Sequence, residues 1–151
     1  MRILVISYHH NDENSVGSLR TRSMERLLPE HGFEVYILTS GVHKEQAKFF
    51  EKTFSIKRYK YSGEWKIIEY VNRMWSYFSQ IVSCYNKQSY WVSTAICHLE
   101  EILKISKPDV VFCTYPPVGA LKLGLEISDR YSLPLVADFR DAFLEEPLEP
   151  G

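Results

Sequence analysis

The run Ile3-Leu4-Val5-Ile6 constrains this chain more than any other feature: it is apolar at every position, with Arg2 before it and Ser7 after it. A strand with one wet face alternates apolar and polar residues. A strand apolar throughout is covered on both faces, which is the situation inside a parallel sheet. Parallel neighbours cannot be joined by a tight turn, so a helical crossover has to follow. The residues supply one. His9 to Ser18 reads as a loop, and Leu19 to His31 carries Leu19, Ser23, Arg26/Leu27 and Glu30 on successive helical turns. Ser15 or Ser18 can cap that helix, and Gly32 suits the position just past its end. Phe33 to Thr39 then reads as the second strand.

The pattern continues downstream. Thr53 to Tyr59 sets Phe54, Ile56 and Arg58 against Ser55 and Lys57, which predicts a strand nearer the edge. Lys44 to Lys52 before it reads as a short helix or a loose loop. Gly63 to about Asn86 has helical spacing, and so does Ser89 to Ile105, with Val92, Ala95, Ile96, Leu99, Ile102 and Leu103 on one face and Pro108 ending it. Asp109 to Cys113 is another buried strand. Pro116-Pro117 opens a helix from about Val118 to Arg130, with proline in the tolerated first turn. Leu133 to Ala137 is a further strand. The order β-α-β-β-α-α-β-α-β predicts an α/β, Rossmann-like three-layer domain with a mainly parallel sheet.

Bulk properties agree and exclude some classes. The 151 residues fit one domain, and 45% hydrophobic with 25% charged residues is a globular balance. A net charge of -1 gives no bulk electrostatic case for nucleic acid. Cys84, Cys97 and Cys113 are odd in number and widely spaced, which is no disulfide framework and suits a reducing, cytoplasmic compartment. No stretch approaches the roughly 18 apolar residues of a membrane span.

Ligands of such sheets bind beyond the carboxyl ends of the strands, where three loops carry unusual residues. Gly17-Ser18 precedes the first helix, so backbone N–H groups there can face an anion or a sugar. Arg20 adds charge. Arg20 and Arg22 sit where the helix dipole disfavours cations, which suits a carboxylate or ligand partner. Neither GxGxxG nor GxxxxGK[ST] is present, and a plain capped helix with a turn glycine remains the alternative. His9 and His10 lack the spacing of a metal site, and hydrogen bonding to a ligand hydroxyl or phosphate suits them better. Thr114-Tyr115-Pro116-Pro117 offers a hydroxyl and a stacking ring, or simply a rigid turn. In Asp138-Phe139-Arg140-Asp141, charges at the mouth of a core strand must be solvated, paired or used. Arg140 stays protonated and can act only as an electrostatic clamp. Asp138 or Asp141 can take a proton from an incoming hydroxyl. The alternative is an internal ion pair with Asp141 as a helix cap.

At these residues the chain resembles the N-terminal lobe of a two-lobed GT-B glycosyltransferase of the retaining family 4. The matching blocks are Arg2-Ile3-Leu4-Val5-Ile6-Ser7-Tyr8, Gly17-Ser18-Leu19-Arg20, and Leu28, Gly32 and Val35 leading to Leu38-Thr39. Further blocks are Lys107-Pro108-Asp109-Val110-Val111 with Pro116-Pro117, and Leu133-Pro134-Leu135-Val136 with Asp138-Phe139-Arg140-Asp141. The resemblance covers nearly the whole chain apart from residues 43 to 95. It implies transfer of a sugar from a nucleotide-sugar donor to an acceptor, with no cofactor beyond that donor substrate and usually no catalytic metal. It implies that this lobe holds a polysaccharide, lipid-linked or other cell-envelope acceptor, and that a C-terminal nucleotide-sugar-binding lobe, absent from these residues, completes the enzyme. The lobe alone is then inactive or nearly so. Relatives often place a histidine where Asp138 to Asp141 stand here. A self-contained sugar- or phosphate-binding module, or a flavodoxin-like nucleotide-binding one, is the competing expectation.

The 14% aromatic content is concentrated between residues 65 and 91, at Trp65, Tyr70, Trp75, Tyr77, Phe78, Tyr85, Tyr90 and Trp91, with Lys60, Lys66, Arg73 and Lys87 interspersed. Three destinations are open for it: core packing, peripheral contact with the inner face of the plasma membrane, or a partner lobe or second copy of the chain.

Overall fold

The computed structural model describes residues 1–12, 15–41, 48–50, 52–56 and 89–139. In chain order they form β1 (Arg2–Ser7), α1 (Val16–Glu30), β2 (Glu34–Ser40), β3 (Lys48–Phe50), β4 (Thr53–Ile56), α2 (Ser89–Cys97), α3 (Leu99–Ser106), β5 (Val110–Tyr115), α4 (Val118–Tyr131) and β6 (Leu135–Phe139). The strands make one sheet in the order β3-β4-β2-β1-β5-β6. Every neighbouring pair is parallel except β3 with β4. The fold is a Rossmann-like three-layer α/β domain, as expected.

β1 lies in the interior of the sheet, and Leu4, Val5 and Ile6 are fully buried. Leu4 and Ile6 face a core built with Trp91, Ala95, Leu99 and Ile102 of α2 and α3 and with Ala120, Leu123 and Ile127 of α4. Ile3 and Val5 face the opposite side with Val35 and Ile37, where Met24 and Leu28 of α1 close over them. The uninterrupted apolar run is therefore covered twice, once by each helical layer.

Several boundaries differ from the sequence expectation. α1 starts at Val16, three residues before Leu19, because Ser15 is the cap: its backbone is extended and its Oγ accepts the Gly17 N–H at 3.2 Å. Gly17 and Ser18 therefore belong to the first turn and not to the loop. Gly32 follows the helix with φ +80°, a conformation that glycine adopts without strain. Lys48–Phe50, expected as helix or loose loop, is a strand antiparallel to β4, so β4 lies one place in from the edge. The helix expected over Ser89 to Ile105 is broken at His98, yet Ala95, Leu99 and Ile102 stay buried across the break. The helix expected from Gly63 to Asn86 lies outside the described residues.

Of the three destinations open to the aromatic cluster, Trp91 takes core packing. It is fully buried, its Nε1–H donates to the Thr39 carbonyl at 3.2 Å, and Tyr8 meets it edge-on at 5.2 Å. Among the described residues no helix is long and apolar enough to cross a membrane.

α4 lies close against the sheet at Gly124. A Cβ there would stand 3.1 Å from Leu135 Cδ1 and 3.2 Å from both Cβ and Sγ of Cys113. Alanine would gain up to about 1 kcal/mol of helix propensity, but overpacking costs about 1–3 kcal/mol. Cys113 sits on a strand paired on both sides and has little room to yield. Gly124→Ala is expected to lower the urea midpoint, with a net loss of up to about 2 kcal/mol.

Candidate functional site

The chain runs from β1 out to β2 on one side and reaches β5 on the other, so the direction of winding reverses between β1 and β5. Crevices at such switch points, outside the carboxyl ends of the strands, are where ligands of open α/β sheets bind. Strand register brings a polar row to that edge. Ser7 is opposite Thr39, Thr114 is opposite Asp138, and the Ile6–Cys113 pair puts Ser7 beside Thr114 one position further on. Paired residues share a face, and alternate residues repeat it. Ser7 lies two positions past Val5 and Thr39 two past Ile37, so both lie on the α1 side of the sheet. The row Thr39–Ser7–Thr114–Asp138 thus crosses four adjacent strands under the start of α1. Ser7, Thr39 and Thr114 are buried, and the Thr39 Oγ1 has no hydrogen-bond partner among the described residues.

α1 supplies the other half of the site. Gly17, Ser18 and Thr21 are its buried residues, while Arg20 turns outward along the edge. Its Nη1 reaches Asp138 Oδ2 at 2.5 Å, joining two loops that lie 118 residues apart in the chain. The Arg20 side chain is half exposed and that of Asp138 one-fifth exposed, so this ion pair is open to solvent at the sheet edge. The first-turn amides are already engaged. Gly17 N–H donates to Ser15 Oγ, and Ser18 N–H to the Ser15 carbonyl at 3.0 Å. Ser18 Oγ donates to that same carbonyl at 2.7 Å. A ligand binding to these amides would exchange with the cap.

The two histidines diverge. His9 is half-buried, packs edge-on against Tyr8 at 5.0 Å, and has Nδ1 3.6 Å from Asp12 Oδ2. His10 is buried, with Nδ1 2.9 Å from Thr21 Oγ1 and Nε2 3.3 Å from Glu25 Oε2. Burial pushes the His10 pKa below its ordinary 6.5. Glu25 opposes that shift and Arg22 adds to it. Arg22, grouped with Arg20 in the sequence, therefore acts on His10 while Arg20 takes the carboxylate.

Thr114 and Tyr115 separate onto opposite faces, as alternation requires. Thr114 joins the polar row. Tyr115 is half-buried, with its ring 5.8 Å from that of Phe139, and both peptide bonds of Tyr115-Pro116-Pro117 are cis. Burial, with Asp138 adding to it, raises the Cys113 thiol to about 11, so it stays protonated and unreactive at neutral pH. Arg140 and Asp141 lie outside the described residues. Among the described residues no group of three or more His, Cys, Asp or Glu side chains could hold a metal ion.

Ser7 and Thr39 join the candidate site by register, although the sequence does not single them out. The available signal is that apolar strands end on a small hydroxyl residue, as in Ile6-Ser7, Leu38-Thr39 and Cys113-Thr114. A scan against protein-family models and a search of curated proteins find no match to this chain.

A solvent-exposed ion pair contributes only about 0–1 kcal/mol. Arg20→Ala and Asp138→Asn are therefore expected to unfold within about 1 kcal/mol of the parent chain in urea. A larger loss would assign the pair to the scaffold and not to a ligand. Because the folded pKa of His10 lies below the unfolded one, its contribution to stability is present above pH 6.5 and is lost as pH falls through the folded value. His10→Gln is expected to flatten that part of the stability–pH curve.

Proposed function

We propose that this chain forms the acceptor-binding lobe of a retaining glycosyltransferase of GT-B architecture, similar to family 4. The full protein would transfer a sugar from a nucleotide-sugar donor to a polysaccharide, lipid-linked or other cell-envelope acceptor at the cytoplasmic face of the membrane. The observation that carries the reading is the Arg20–Asp138 pair at the switch-point edge, beside the row Thr39–Ser7–Thr114. Hydroxyl-rich ligands are recognised by closely spaced hydroxyls, carboxylates and guanidinium groups, each able to give or accept directional hydrogen bonds.

In this reading Asp138 or Asp141 receives the proton of the attacking acceptor hydroxyl. Arg20 orients the carboxylate of Asp138, and Arg140 adds positive charge to the loop. Gly17, Ser18, His9 and Thr114 line the approach, and Tyr115 follows Thr114 at the strand end. Donor binding belongs to a second lobe, which makes the chain by itself a binder without turnover.

The test is a titration of the chain, followed by amide NMR, with UDP-glucose, with free UDP, and with a panel of mono- and oligosaccharides. The expected result is saturable saccharide binding that shifts the amides of Ser18, Arg20, Thr114 and Asp138, with the nucleotides binding far more weakly. A charged hydrogen bond contributes about 1.5–3 kcal/mol, so Arg20→Ala and Asp138→Asn should each weaken saccharide binding by about ten- to a hundredfold. Tight UDP binding without saccharide binding would favour the nucleotide-binding module and overturn this division of labour.

A further inference from the structure

The loop between β1 and α1 is fastened to the helix by a relay through the buried His10 that the proposed reaction does not use. His10 stands between two α1 side chains one turn apart, Thr21 at Nδ1 and Glu25 at Nε2. Thr21 Oγ1 also lies 3.2 Å from the Ser18 carbonyl and 3.4 Å from that of Gly17. It therefore has acceptors in the first turn as well as His10 beside it. The charged groups of α1 that act on His10 are Glu25 and Arg22. In the loop, Asp12 pairs with His9 and not with His10.

Counting protons limits the arrangements. A neutral imidazole has one donor and one acceptor nitrogen, a carboxylate only accepts, and a threonine hydroxyl carries a single hydrogen. With Glu25 facing Nε2, the proton of the neutral ring belongs on Nε2, which leaves Nδ1 to accept from Thr21 O–H. When a solvent proton adds to Nδ1, that nitrogen becomes a donor and Thr21 Oγ1 must accept. Its hydrogen then swings to the carbonyl of Ser18 or Gly17. No other bond is made or broken.

We infer that His10 is a positioning residue, and that its protonation moves the Thr21 hydroxyl bond from the loop to the first turn of α1, resetting the turn that leads directly into Arg20. The inference rests on the proposed reading only in naming that turn as part of a ligand site; the proton relay stands on its own geometry. Burial of the ring places the change on the acid side of ordinary histidine titration.

The experiment is imidazole and amide ¹H–¹⁵N NMR of the whole chain without ligand, followed from neutral to mildly acidic pH. At neutral pH the His10 Nδ1 should have the shift of an unprotonated nitrogen. The amides of Ser18, Arg20 and Thr21 should move with the same midpoint as the His10 ring. In Thr21→Val the ring should still titrate, while the pH-dependent displacement of the Ser18 and Arg20 amides falls by at least half. Thr21→Ser, which keeps the hydroxyl, should restore it. A neutral ring protonated on Nδ1 would overturn the inference, as would first-turn amides that ignore the His10 midpoint or follow it unchanged in Thr21→Val. No saccharide enters the measurement, so failure to bind sugar would sink the glycosyltransferase reading and leave this result intact, and the reverse also holds.

Discussion

Burial of β1 on both faces is the constraint on which the rest of the molecule depends. A strand apolar throughout needs a helical layer on each side and a hydrogen-bonded neighbour along each edge. β2 and β5 supply the neighbours. α1 covers one face, and α2, α3 and α4 cover the other. Parallel pairing then makes the three central strands point the same way and end together. Where they end, the apolar side chains stop and the hydroxyls of Ser7, Thr39 and Thr114 begin. The polar edge is thus a by-product of core construction: the positions that close the hydrophobic layer are followed at once by hydroxyl-bearing ones.

The same register makes a carboxylate at the end of β6 a neighbour of α1. Asp138 continues the row by one strand, and α1 rises over β1 and β2 with Arg20 on the side that faces β6. The pairing links sheet order to electrostatics, because a shift of β6 by one residue would turn Asp138 to the other face and leave Arg20 without it. Trp91 does comparable work on the opposite layer. By donating to the Thr39 carbonyl it ties α2 to the end of β2, close to the polar row.

Much of this is legible in the sequence, and the gaps have physical reasons. The buried strands are readable because a short run apolar at every position, bounded by polar residues, suits a strand covered on both faces and little else. The C-terminal stop of α1 is readable because Gly32 takes a positive φ. The start of α1 is not, since Ser15 and Ser18 are equally able to cap and only the folded backbone shows that Ser15 does. β3 spans three residues at the sheet edge and exists through its pairing with β4, which no local pattern encodes. The break at His98 is hidden because the apolar face keeps its phase on either side. Counting Trp91 with the nearby aromatics does not decide between core and surface for it. Its spacing to Ala95 and Leu99, four residues at a time, is the better guide. The meeting of the first-turn loop with the last strand follows from the strand order, but only side-chain direction shows that Arg20 takes Asp138 while Arg22 acts on His10.

The pairing of β1 with β5 also bears on how the chain is made. Ile3 lies beside Val110 and Ile6 beside Cys113, so the centre of the sheet joins residues separated by most of the sequence. During synthesis β1 can pair with β2 early, but its other edge must wait until β5 has left the ribosome. Contacts of such sequence separation close slowly, and for that interval an apolar strand with a free edge is available to the wrong partner. The feature that makes the finished sheet secure is the one that leaves the nascent chain longest exposed to mispairing.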